Sequence, residues 1–141
     1  MKNKFIVLIA VIAISLSSNC QSMTVPTVVK NAFETKYPDA TNVKWGKESA
    51  KEYEAEFILN NNPVSANFDL DGSWVETESV IPVLALPVAV SVAISNKYSG
   101  TQITMAEKTE QPGNKILYEV TIEVNGKRKS IEIHPDGSFV K

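Results

Sequence analysis

Cysteine and histidine are almost missing from this chain: its 141 residues hold one of each, Cys20 and His134. A single cysteine excludes an internal disulfide. A zinc site built on nitrogen and sulfur needs three or four such ligands, which the chain does not have without drawing heavily on carboxylates. A lone histidine has no cysteine beside it to form a protease-like nucleophile pair, so His134 reads as a surface or turn residue. Positive charge is not in excess either, with 14 Lys and Arg against 16 Asp and Glu. A mildly acidic chain is not built to hold a phosphate backbone, which argues against nucleic acid as a partner. No apolar run approaches the roughly twenty residues that cross a bilayer. The longest, Phe5 to Leu16, is about twelve residues and is broken by Ser15.

That run follows the basic start Met1-Lys2-Asn3-Lys4 and precedes the small polar stretch Ser17-Ser18-Asn19-Cys20-Gln21-Ser22. This order is that of a secretory signal peptide. Residues 1–22 are read as one, and the mature chain as periplasmic or secreted, with no transmembrane span. Losing Lys2 and Lys4 leaves 12 basic and 16 acidic side chains, a formal charge of about −4. Cys20 leaves two readings open. Leu16-Ser17-Ser18-Asn19-Cys20 partly matches a lipobox, which would make Cys20 an acylated first residue and a lipid anchor, although Asn19 is larger than the usual residue there. Alternatively, ordinary signal peptidase cuts nearby, with Ser18 and Cys20, or Cys20 and Ser22, as its small residues. The intact mass of the mature protein separates the two.

The remaining residues repeat. Val25-Pro26, Lys36-Tyr37, Tyr53-Glu54 and Asp71-Gly72-Ser73-Trp74 return as Leu86-Pro87, Lys97-Tyr98, Tyr118-Glu119 and Asp136-Gly137-Ser138-Phe139. The offset grows from 61 residues at the start to 65 at the end. A repeat of this length is a whole α+β unit rather than a solenoid turn. The division is residues 23–80 and 81–141. The link Ser79 to Ala85 is apolar and carries no flexible Gly or Ser tract, so the two units are read as one fused compact domain.

Each unit reads as a helix followed by antiparallel strands. Val25, Val28, Val29, Ala32 and Phe33 share one helical face, with Thr24 as N-cap and Pro26 in the first turn. Leu86, Ala89, Val90, Ala93 and Ile94 repeat the pattern after the link. The second helix also carries Val88 and Val92 off that stripe. Such an all-round apolar helix should meet something on its outer side, either the other half of the chain or a partner. Val43 and Trp45 match Ile103 and Met105 as first strands. Tyr53, Ala55, Phe57 and Leu59, and Tyr118, Val120, Ile122 and Val124, alternate with polar residues, which predicts a sheet covered on one side and wet on the other. Asn61-Asn62-Pro63 and Asn125-Gly126 read as hairpin turns. Val64, Ala66 and Phe68, and Ile131 and Ile133, form third strands. Trp74 to Glu78 forms a fourth, of which Ser138 to Lys141 is only a stub in the second unit. Whether Trp74 or Val75 faces the core stays open. Trp74 inward would carry Glu76 and Glu78 inward too, unless a bulge intervenes.

Asp69-Leu70-Asp71-Gly72 resembles the start of a calcium loop, but position twelve is Val80 where an EF-hand needs glutamate, and the second copy has His134 in place of Asp69. An Asp-Gly turn accounts for both. A glycosidase pair needs carboxylates facing across a cleft, whereas Glu54 and Glu56 share one strand face. No cofactor is called for. The better candidate is the wet face itself. Glu52, Glu54, Glu56, Glu119, Thr121, Glu123, Arg128, Ser130 and Glu132 all fall on it. If the two sheets join edge to edge, the result is a broad acidic surface with scattered bases, suited to a basic protein or peptide partner. Lys127-Arg128-Lys129 reads as an edge-strand guard against aggregation.

Helix-terminal Lys36-Tyr37, then Val43-Lys44-Trp45, Tyr53-Glu54-Ala55-Glu56-Phe57 and Phe68-Asp69-Leu70-Asp71-Gly72-Ser73-Trp74, resembles the PepSY-like, β-lactamase-inhibitor-protein-like domains of secreted Bacteroidetes proteins. The resemblance covers both copies and nearly all of the mature chain. It implies an α+β fold: a duplicated α-β(4) unit, with an antiparallel sheet and helices packed on one face. It also implies a place in the periplasm or at the cell surface, and related folds include a secreted inhibitor that clasps β-lactamase with its sheet and peptidase-regulating domains. The departures are His134-Pro135 and the early end of the second copy. No inhibitory residue carries over, because the shared motifs are structural. Two functional readings follow. One is a non-enzymatic binding module that regulates or inhibits an envelope protein or peptidase through the open sheet face. The other is a ligand or peptide sensor, or a structural envelope protein, self-associating through the second helix.

Overall fold

The computed structural model describes residues 24–140. The signal-peptide reading of residues 1–22 and the lipidation reading of Cys20 lie outside the described residues. In order, the elements are α1 (Thr27–Lys36), β1 (Thr41–Lys47), β2 (Glu52–Leu59), β3 (Asn62–Asp69), β4 (Trp74–Ile81), a 3₁₀ turn at Val83–Ala85, α2 (Val88–Lys97), β5 (Ile103–Gln111), β6 (Lys115–Val124) and β7 (Lys127–Ile133). The strands form one antiparallel sheet in the order β1-β2-β3-β4-β5-β6-β7. Each helix packs on the same side of its own half. The fourth strand of the second unit is reduced to a single bridge between Ile133 and Phe139, so the doubled unit yields seven strands rather than eight.

Alternation selects the covered side. Tyr53, Ala55 and Phe57 of β2 and Ala66 and Phe68 of β3 are buried with Val25, Val29, Phe33 and Tyr37. Tyr118, Val120 and Ile122 of β6 and Ile131 and Ile133 of β7 are buried with Leu86, Val90 and Ile94. The two cores share a plan and differ in material. Phe33 is an aromatic hub, its ring centroid 5.3 Å from Trp45, 5.0 Å from Phe57 and 6.2 Å from Phe68. Valine and isoleucine fill the matching space in the second half. Between the cores, Thr77, Lys108 and Glu110 occupy the helix side of the β4–β5 seam, and Lys108 pairs with Glu110 at 2.7 Å.

The linker is structural. Ser79, Val80 and Ile81 complete β4 and pair with Lys108, Glu107 and Ala106 of β5. This ladder makes two sheets into one.

Several local expectations are corrected. The first hairpin turns at Asn60 and Asn61, which take φ of 52° and 65°, while Asn62 and Pro63 already pair in β3. Asparagine tolerates the left-handed region better than most residues, and a proline cannot. Thr24 does not cap α1, whose N-cap is Pro26 with no side-chain bond. Val28 lies half exposed beside the turn of Gly72 rather than in the core stripe. The other half of the chain does not cover the outer side of α2: Val88 is 79% exposed and Val92 50%. The reason is lateral. Both helices lie over their own strands, so α2 turns its back to solvent rather than to α1.

The orientation of Trp74 is decided by a bulge. Phe68 pairs with Trp74 and Asn67 with Glu76, so Val75 is an extra residue in the ladder. Trp74 and Thr77 then share the helix side, where Trp74 Nε1 donates to Thr77 Oγ1 at 2.9 Å and the Tyr37 hydroxyl pairs with the same Thr77 hydroxyl. Glu76 and Glu78 are returned to the open side.

Candidate functional site

The open side of the sheet is a groove of about 990 Å³. Cross-strand register sets its floor. One row runs Glu54, Asn67, Glu76 across β2, β3 and β4. A second runs Glu56, Ser65, Glu78, Thr109, Leu117. A third runs Val80, Glu107, Glu119, Glu132 across β4 to β7. The continuous ladder at β4–β5 is what brings carboxylates from both halves together. Apolar groups, among them Ile58, Val80 and Leu117, line the same groove, and Lys44 is its one cationic lining residue among the described residues.

The crowding shows in the titration of the acids. Glu78 is pushed up to about 7, first by burial and then by the charges of Glu76, Glu107, Glu119 and Glu54. Burial raises Glu107, with Glu119 adding to it. Glu54 is raised by burial and then by Glu56 and Glu48, and Glu132 by burial and then by Glu119 and Glu76. Glu52 is raised the same way, by burial and then by the charges of Asp69, Glu76 and Glu48. Like charges held close on a half-dry floor favour the neutral form.

Amides organise the centre. Glu76 accepts from Asn67 Nδ2 at 3.4 Å and from Gln111 Nε2 at 3.0 Å. Asn67 is only 8% exposed, and among the described residues its Oδ1 has no donor, nor has Glu107 Oε2.

The residues singled out in the sequence divide. Glu52, Glu54, Glu56 and Glu132 line the groove, with Glu119 paired to Glu107 and Glu132 in its third row. Of these, Glu52 is at the groove's rim, at the start of β2 and opposite Asp69. Thr121 pairs with Ser130 and is buried, its hydroxyl 3.4 Å from that of Ser130. Glu123 faces Arg128 near the β6–β7 hairpin, away from the acidic centre. Glu78, Glu107 and Asn67 were missed. Glu78 depended on the bulge. Glu107 lies in Ala106-Glu107-Lys108-Thr109-Glu110, where polar residues occupy both strand faces and hide the period. Lys127, Arg128 and Lys129 are exposed on the edge strand β7.

His134 is exposed in the turn after β7, its backbone N–H bonded to the Ser138 carbonyl. Both Asp-Gly turns are closed by their own aspartate: Asp71 Oδ1 accepts from the Ser73 N–H at 2.8 Å, and Asp136 Oδ1 from the Ser138 N–H at 2.9 Å. Among the described residues, no group of three acidic, histidine or cysteine side chains is placed to hold a metal ion. No described helix is long and apolar enough to cross a membrane.

Comparison with known proteins agrees with this architecture. Curated proteins yield no match. Several solved structures share the fold. A BLIP-like protein of Bacteroides fragilis has a TM-score of 0.73 at 22% identity, with 86% of each chain covered. A DUF2874 family protein of Bacteroides uniformis has 0.76 at 23%, covering 84% of this chain and 88% of that one. A structure described as "putative periplasmic proteins" from Bacteroides eggerthii has 0.76 at 20%, with the same coverage. A family model described as "Putative beta-lactamase-inhibitor-like, PepSY-like" matches residues 15–63 and 51–141. Both halves fall within that match, and the chain belongs to this PepSY-like, beta-lactamase-inhibitor-like family.

Proposed function

We propose that the chain is a non-enzymatic periplasmic binding module that regulates or inhibits an envelope protein or peptidase by seating it on the open face of the sheet. The observation that carries this is a seven-stranded sheet with helices on one side only, whose bare side collects unbalanced carboxylates from both halves into one groove. Concave, partly apolar surfaces with a few convergent polar groups are where proteins take ligands, and unbalanced charge steers an oppositely charged partner. A periplasmic location is supported by the apolar leader and by the description of the Bacteroides eggerthii structure. The test is capture from envelope extract with the wild type and a Glu54→Lys, Glu56→Lys, Glu119→Lys variant. A specific partner retained by the wild type is lost by the variant; an identical capture profile overturns the reading.

The exposure of Leu84, Val88 and Val92 favours a second reading, self-association through α2. It predicts a concentration-dependent elution volume in size exclusion that Val88→Lys abolishes.

A further inference from the structure

Among the described residues, the two buried side-chain atoms left without a hydrogen-bond partner, Asn67 Oδ1 and Glu107 Oε2, are both acceptors. The Asn67 amide is oriented by Glu76, which takes its N–H and leaves Oδ1 without a donor. Glu107 Oε2 is in the same condition one strand beyond the seam. Between them, on β4, stands Glu78, paired with Ser65 on one side and Thr109 on the other, neither of them charged. The nearby bases do not serve this centre. Lys108 is on the helix side with Glu110, and Arg128 is opposite Glu123 at the far hairpin. A buried acceptor without a donor is costly, and Lys44, the cationic lining residue, stands opposite Glu56 on the edge strand β1 rather than at this centre.

We propose that the centre of the groove is a guanidinium subsite, in which an arginine side chain of a partner peptide lies against Glu78 and gives one N–H to Asn67 Oδ1 on the adjacent strand. This rests on the open face being a protein-binding surface and names what that surface recognises. Asn67, Glu78 and Glu107 stand on β3, β4 and β5 in successive register rows, and among the described residues no three acidic side chains gather as a metal site would need. A compact ion needs convergent ligands, whereas a planar group with five N–H donors serves dispersed ones. Guanidinium is also less strongly hydrated than ammonium, so it enters a half-dry groove more readily. The groove is far larger than one side chain. Ile58, Val80 and Leu117 leave apolar places for the residues on either side of the arginine. The occupant is thus a peptide segment in which arginine alternates with apolar residues.

The test is fluorescence anisotropy with a labelled, end-blocked peptide of alternating arginine and valine. The same peptide with citrulline, a neutral isostere of arginine, is the comparison. The arginine peptide is expected to bind at least about tenfold more tightly, the scale of a charge-assisted hydrogen bond. Glu78→Gln weakens the arginine peptide by about tenfold and leaves the citrulline peptide unchanged. Glu34→Gln, which removes the same charge from α1 on the opposite side of the sheet, changes neither. Equal binding of the two peptides, or binding of neither, overturns the subsite. So does equal weakening by Glu78→Gln and Glu34→Gln, which means diffuse attraction only. The envelope capture above is independent. If capture is lost in the triple lysine variant while the peptides bind alike, the face binds protein without reading arginine. If the arginine peptide behaves as expected while capture is unaffected, the subsite stands and the envelope role falls.

Discussion

A glutamate on a wet strand titrates near 4.5 unless water is kept from it or other anions crowd it. Glu78 meets both conditions, and its carboxyl rises from 4.5 to about 7. The linkage has a definite sign. The folded state holds a proton that the unfolded chain gives up near the ordinary value, so the associated stability is fully present below about pH 4.5 and is lost as pH rises through about 7. Glu52, Glu54, Glu107 and Glu132 are raised too and add in the same direction. Asp71 and Asp136 are lowered by the serine hydrogen bonds of their turns, and their effect lies at more acid pH. Thermal melting is therefore expected to fall between about pH 5 and about pH 8. Glu78→Gln should flatten that slope and stabilise the protein at about pH 8, by on the order of 1–2 kcal/mol after allowance for the solvent that reaches Glu78. A variant no more stable than wild type there would show that the charge is already relieved.

The elements explain why short motifs recur at two different offsets. Lys36 and Lys97 end the two helices and lie over the rings of Trp74 and Phe139, at 3.6 Å and 3.8 Å from the centroids. The Lys-Tyr motif is thus tied to the aromatic residue after the Asp-Gly turn, and the two recur together. The glycine of that turn meets the first turn of the helix. A Cβ on Gly72 would lie 3.0 Å from the Val28 carbonyl oxygen, and one on Gly137 would lie 2.6 Å from that of Ala89. Gly137 also has φ of 84°. Gly113 has φ of 79° but open space around it. Gly113→Ala should cost about 1 kcal/mol, the backbone term alone. Gly137→Ala should cost about 2–3 kcal/mol, because the helix must also move. Denaturant titration of the two variants measures the difference; equal costs would mean that the turn does not brace α2.

Across the whole molecule, two separate cores hang on one ladder. Each half is about sixty residues, a size at which a single core is marginal, and β4 belongs to the first half while pairing with the second. The halves should therefore unfold together. Both tryptophans, Trp45 and Trp74, pack against the first core, so their fluorescence reports that half, whereas far-UV circular dichroism reports both. Ile122→Ala, in the second core, should destabilise by about 2–4 kcal/mol. It should lower the midpoint seen by tryptophan fluorescence as much as the one seen by circular dichroism. Two separated transitions would show that the seam does not couple the cores.

The amino-acid order alone determined the doubling, the helix-then-strands plan and the wet and dry strand faces. Each of these is a periodicity, and a period of 2 or 3.6 is written locally wherever water meets one side only. Tyr53-Ala55-Phe57 and Tyr118-Val120-Ile122 were legible for that reason. The tertiary structure alone decided the groove centre. Glu78 reaches it because Val75 bulges out of β4, and Glu107 because β5 docks on a strand of the other half. Neither a bulge nor an inter-unit register leaves a periodic trace, since both are settled by which partner strand satisfies the backbone hydrogen bonds.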